Sequence, residues 1–165
     1  MTQDLSTDTV ERVIDAPPQL LYDIVSDVTR TPELSPEILS CRWVRGATGP
    51  AVGARFRAVN TLGRGRSWPN WPVVVTADPG REFAISRTEP LAGTLEWRYR
   101  LVPDGPRTRV LESYTVTRPP TRLFYWMLEH VMRIEDRAHD LRTGMTTTLD
   151  RLAVVAEQEQ RRRSR

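Results

Sequence analysis

The chain has 165 residues, with 24 basic and 21 acidic side chains and a formal net charge of +3. Every basic residue is arginine, cysteine occurs once (Cys41) and histidine twice (His130 and His139). That length suits one domain with its own core, one cysteine excludes an internal disulfide, and two histidines far from one cysteine exclude a Cys/His zinc site.

No apolar run reaches the roughly 18 residues of a membrane span, and the polar start lacks a signal-peptide pattern. The expectation is a cytoplasmic protein with no metal and no cofactor. The last nine residues hold two acids and four arginines, so they carry +2 of the total charge. Residues 1–8 are expected to be flexible, 9–157 to form one domain, and 158–165 to be a disordered Arg-rich tail.

A strand is predicted at 9–15. Asp15-Ala16-Pro17-Pro18 then carries helix-start chemistry: a capping residue and prolines where a missing N–H costs nothing. Leu20, Leu21, Ile24, Val25 and Val28 give that helix one apolar face. Thr31-Pro32-Glu33 starts a second, short helix, and 38–45 reads as a strand ending at Gly46.

Five more strands are predicted at 53–62, 71–77, 81–88, 94–102 and 107–117. Turns rich in Gly, Pro and Asp separate them. Connections this short join antiparallel neighbours. Alternation sets the faces. Phe56, Ala58 and Asn60 oppose Arg55 and Arg57. Leu95, Trp97, Tyr99 and Leu101 oppose Glu96, Arg98 and Arg100. Val110, Glu112, Tyr114 and Val116 share a phase. One sheet face is therefore apolar and aromatic and the other arginine-rich and wet.

After Pro119-Pro120 the period becomes helical. Met127, Val131, Ile134, Ala138, Leu141, Met145, Leu149 and Leu152 form one stripe. A continuous helix to about residue 158 would run roughly 57 Å at 1.5 Å per residue. A bend, a separate first segment before Ile134, or a projecting end is expected. The fold class is α+β: a curved antiparallel sheet of about seven strands, in the order β-α-α-β6-α, wrapped around a long C-terminal helix.

These residues in this order resemble the SRPBCC superfamily, also called START-like or helix-grip proteins, in its polyketide cyclase/dehydrase branch. Asp15-Ala16-Pro17, 26–33 with Ser35-Pro36-Glu37, 52–56 leading to Asn60, and 78–83 carry the resemblance. Trp97-Arg98-Tyr99, 108–113 and Gly144-Met145 with Thr148-Leu149 complete it. The resemblance implies a cavity between sheet and long helix that holds a hydrophobic or amphipathic, polyketide- or lipid-like molecule. Enzymes of this shape are polyketide cyclases, aromatases or dehydratases. The tryptophans that such aromatase/cyclases carry after the corresponding hairpin are matched only loosely by Trp68-Pro69-Asn70-Trp71.

The candidate ligand-binding set is Phe56, Asn60, Trp71, Phe83, Trp97, Tyr99, Glu112, Tyr114, Leu141 and Met145. No recognised catalytic constellation is present; Glu112 and Tyr114 are the candidates for proton transfer. Asn60 and Glu112 are expected to point inward, where a polar group must find a partner or change its ionisation. Each then meets either a ligand or an internal partner. Gly144 stands beside the stripe, where it leaves room for a ligand or is merely tolerated. His130 and His139 read as edge and surface residues, Cys41 as a small buried hydrophobe, and Gly63-Arg64-Gly65-Arg66 as a hairpin tip. The partner expected is a small hydrophobic molecule. A nucleic-acid or protein partner on the outer face (Arg55, Arg57, Arg98, Arg100, Arg109) is a reading of another class, and glutamates on the same strands oppose it.

Overall fold

The structure is a computed structural model that describes residues 5–63 and 65–165. Residues 1–4 of the expected flexible start, and Arg64 in the expected hairpin tip, lie outside them.

Eight strands form the sheet: β1 (Thr7–Ile14), β2 (Ile38–Val44), β3 (Arg55–Thr61), β4 (Ser67–Asn70), β5 (Val73–Asp78), β6 (Glu82–Glu89), β7 (Gly93–Asp104) and β8 (Arg107–Arg118). The helices are α1 (Pro18–Ser26), α2 (Thr31–Leu34), α3 (Arg122–His130) and α4 (Arg137–Arg163), with a 3-10 turn at Val28–Arg30. The sheet order is β1-β8-β7-β6-β5-β3-β2, with β4 paired to β3. Every pairing is antiparallel, as the short turns require.

The strand expected at 71–77 starts two residues later, as β5, and a strand that was not expected, β4, precedes it across Trp71-Pro72. Neither Pro69 nor Pro72 can donate to a ladder. β4 pairs with β3 from Ala58↔Asn70 to Thr61↔Ser67, and β5 rejoins β3 only at Arg55↔Val73. The interruption swings the Trp71 side chain out, and it is 52% exposed.

Helix α1 buries Leu20, Leu21, Tyr22, Ile24 and Val25. Its N-cap is Pro17 without a side-chain cap, so Asp15 does not serve as the cap expected of it. Helix α4 buries Leu141, Met145, Thr148, Leu149, Leu152, Ala153 and Ala156 against the inner sheet face. Ion pairs Arg12–Asp150 and Arg142–Asp8 fasten it along β1.

The C-terminal helical region breaks before Arg137, as its length demanded. Thr121 Oγ1 accepts from Phe124 N at the start of α3, and Asp136 accepts from His139 N at the start of α4. In α3 the buried residue is Leu128, and Val131 in the break is 48% exposed. The stripe expected through Met127 and Val131 therefore does not continue across the break. Helix α4 extends to Arg163, past residue 158. Glu, Gln and Arg are good helix formers, and arginines in a last turn complement the helix dipole. At the other end Leu5 is buried and Thr7 and Asp8 belong to β1, so order begins earlier than expected.

Gly93 shows how tightly β7 meets the entry to α3. It sits at φ +78°, and a Cβ there would lie 2.1 Å from the Arg118 carbonyl oxygen. Only glycine fits such a site.

Candidate functional site

Between the inner sheet face and α4 lies a cavity of about 120 Å³. One water needs about 10–15 Å³ and a drug-sized site about 300–1,000 Å³. The space lies between those two sizes. Phe56, Ala58 and Asn60 of β3 and Phe83, Ile85 and Arg87 of β6 form its floor, with Trp97 and Tyr99 of β7 and Glu112 of β8. Leu141, Gly144, Met145 and Thr148 of α4 cover it, and Val25, Val28, Leu34 and Cys41 close the far side. Sheet alternation aims the first group inward and helical spacing aims the second.

Of the sequence-derived residues, Phe56, Asn60, Phe83, Trp97, Tyr99, Glu112, Leu141 and Met145 line this cavity. Trp71 does not, because the β4–β5 interruption turns it to solvent. Tyr114 does not line it either. It is 2% exposed and packs on Trp97 with ring centroids 5.5 Å apart. It faces the neighbouring core, so the proton-transfer role considered for it loses its geometry.

The polar end of the cavity is built by register. Phe83 of β6 pairs with Tyr99 of β7, which pairs with Glu112 of β8. Tyr99 Oη donates to Glu112 Oε1 at 3.1 Å. Glu112 Oε2 is buried with no hydrogen-bond partner among the described residues. Burial pushes the Glu112 carboxyl from 4.5 up to about 8, against the opposing pull of the Tyr99 bond. Burial also raises the Tyr99 hydroxyl well above its ordinary value, and Glu112 raises it further. At neutral pH Glu112 is then mostly a neutral acid. Its Oε2 is a hydroxyl able to donate.

Asn60 Nδ2 donates to the Trp68 carbonyl at 3.4 Å, so the amide finds an internal partner across the β3–β4 hairpin. Asn70 also lines the cavity. Its Nδ2 donates to Glu89 Oε1 at 2.9 Å, and its Oδ1 is buried without a partner among the described residues.

The sequence reading missed Arg87, Arg137 and Glu37. Arg137 grips Glu37 with two hydrogen bonds of 2.7 Å each, and its side chain is 8% exposed. Arg137 stands one turn before Leu141 on the α4 stripe, and Arg87 shares the phase of Phe83 and Ile85. Both periods pointed inward; the charge alone argued otherwise.

Cys41 lines the cavity, and burial pushes its thiol up to about 11, which makes it a poor nucleophile. His130 and His139 are exposed, and His130 stacks on Trp126. On the outer face Arg98 pairs with Glu82 and Glu96, and Arg100 with Glu82. Those arginines are already matched by carboxylates. Among the described residues no group of three or more His, Cys, Asp or Glu is arranged to hold a metal ion, and no helix is long and apolar enough to cross a membrane.

Residues 7–157 match the family described as polyketide cyclase / dehydrase and lipid transport. The chain belongs to that family. A Polyketide_cyc-like protein from Corynebacterium glutamicum, solved by NMR, is 31% identical, covers 96% of this chain and 95% of its own, and superposes with a TM-score of 0.64. A START superfamily protein from Mycobacterium smegmatis is 17% identical over 93% of this chain and 99% of its own, with a TM-score of 0.64. A di-domain ARO/CYC of the steffimycin biosynthetic pathway is 14% identical over 93% of this chain and 52% of its own, with a TM-score of 0.72. The last two likenesses establish the fold alone. No curated protein matches the chain.

Proposed function

We propose that this member of the polyketide cyclase/dehydrase and lipid transport family binds a small, mostly apolar molecule bearing a carbonyl or hydroxyl oxygen. The cavity under Leu141, Gly144 and Met145 holds its apolar body, and Glu112 meets its oxygen. The observation that carries this reading is Glu112, whose Oε2 is buried without a hydrogen-bond partner among the described residues and which lines a cavity whose apolar walls include Phe56, Phe83, Ile85 and Trp97. A buried polar atom without a partner costs about 1–3 kcal/mol. A ligand oxygen at hydrogen-bond distance removes that cost.

The second reading is a cyclase or dehydratase acting on a poly-β-ketone in the same cavity. The neutral acid at Glu112, oriented by Tyr99, favours it. In an intramolecular aldol closure, the enol carbon attacks a ketone carbon and forms a C–C bond. Glu112 gives its proton to the ketone oxygen, which becomes the alcohol, and the resulting carboxylate takes the enol proton. The pocket walls hold the chain folded for that attack.

Native mass spectrometry of the protein purified from its own host, followed by solvent extraction, tests both. A retained polyketide favours catalysis and a retained fatty acid favours carriage. A ligand-free protein that also binds neither class in vitro argues against both.

A further inference from the structure

Arg87 lies on the cavity floor in phase with Phe83 and Ile85. Its side chain keeps only 16% of its surface exposed. Its closest carboxylate contact is Nε to Glu89 Oε1 at 3.7 Å, beyond a hydrogen bond. No hydrogen bond from its guanidinium is formed among the described residues. The neighbouring acids are held by other donors. Glu89 Oε1 accepts from Trp68 Nε1 at 3.2 Å and Asn70 Nδ2 at 2.9 Å. Glu37 is gripped on both oxygens by Arg137. A mostly buried guanidinium, with five donors in a planar fork and only the 3.7 Å approach to Glu89, fits a carboxylate.

The register gives the distance to the other polar group. Arg87 is four residues along β6 from Phe83, the residue in line with Tyr99 and Glu112. At about 3.3 Å per residue the two rows are roughly 13 Å apart, and β8 lies two strands, about 10 Å, across the sheet from β6. Ile85 and Trp97 form the apolar row between them.

Resting on the cavity reading above, we propose that the ligand is an apolar carboxylic acid: its carboxylate seats on the Arg87 fork, and a carbonyl or hydroxyl at its far end meets Glu112. Burial works against the charge on Arg87 and nearby Arg137 adds to that, while Glu89 and Glu37 offset part of it. A bound anion relieves both effects.

The test is calorimetric titration of the full chain at neutral pH with 6-hydroxy-2-naphthoic acid and with its methyl ester. The acid is expected to bind the wild type about tenfold or more tighter than the ester, as a charge-assisted bond allows. Arg87→Gln should remove that preference, and Arg87→Lys should keep part of it. Equal binding of acid and ester by the wild type, or a preference that survives in Arg87→Gln, overturns the proposal and leaves the cavity reading intact. Binding of neither probe overturns both. If Arg87→Gln does not fold, the wild-type comparison of acid with ester still decides the proposal.

Discussion

Tyr99 and Glu112 sit opposite each other on β7 and β8, and the tyrosine hydroxyl donates to one carboxyl oxygen at 3.1 Å while the other is buried without a partner among the described residues. The chemistry proposed for the cavity depends on this pair. One partner fixes the acid's orientation, and burial keeps the acid protonated.

Glu112 should make stability depend on pH. Its carboxyl rises from 4.5 in the open chain to about 8 in the fold. The native state then binds more protons than the unfolded state between those values. Stability is full below about 4.5, falls as pH rises towards 8, and levels off above it. At about 1.4 kcal/mol per pKa unit the loss is on the order of a few kcal/mol. Glu112→Gln keeps shape and a donor but cannot ionise. Its chemical-denaturation midpoint should stay flat from pH 5 to pH 9 and exceed the wild type's at pH 9. A wild-type curve that rises across that interval contradicts the assignment.

Gly144 faces open space, since a Cβ there would meet nothing within 4 Å. Gly144→Leu should therefore fold, with the helix gaining up to about 1 kcal/mol in propensity. The leucine should occupy the cavity and weaken binding of 2-naphthol at least about tenfold, a loss of about 1.4 kcal/mol. Calorimetry and a thermal melt on the same variant check both halves. Unchanged affinity means that the probe binds elsewhere.

The Arg137–Glu37 pair joins the start of α4 to the segment before β2. Breaking one side leaves a nearly buried guanidinium without its carboxylate. Glu37→Gln should cost about 2–3 kcal/mol, since Glu37 keeps 27% of its side chain exposed. At about 2–4 °C per kcal/mol for a domain of this size, its Tm should drop by about 4–12 °C. Asp150→Asn, which breaks the exposed Arg12 pair, should cost less than about 1 kcal/mol. Equal shifts for the two variants would show that burial does not govern the difference.

Much of this architecture was legible from periodicity. The alternation in β3, β7 and β8 aimed Phe56, Asn60, Trp97, Tyr99 and Glu112 inward, and helical spacing put Leu141 and Met145 above them. Three features were not legible, for physical reasons. Proline-flanked Trp71 reads as a strand residue until the lost ladder bonds turn it outward. Tyr114 is in phase with Glu112, but phase fixes a face and not the position along it. Arg87 and Arg137 followed the inward period, yet their charge argued for solvent. Only tertiary placement shows Glu37 beside Arg137 and leaves Arg87 facing the cavity.

The most direct test places a bound molecule. Intermolecular NOEs from 2-naphthol ring protons to the isotope-labelled protein distinguish the inner site from surface adhesion. The account predicts NOEs to the Met145 methyl and the Trp97 indole, with the Glu112 carboxyl resonance shifting on titration. NOEs confined to the exposed Trp71 and Trp126 rings, with Met145 and Trp97 silent, would contradict it.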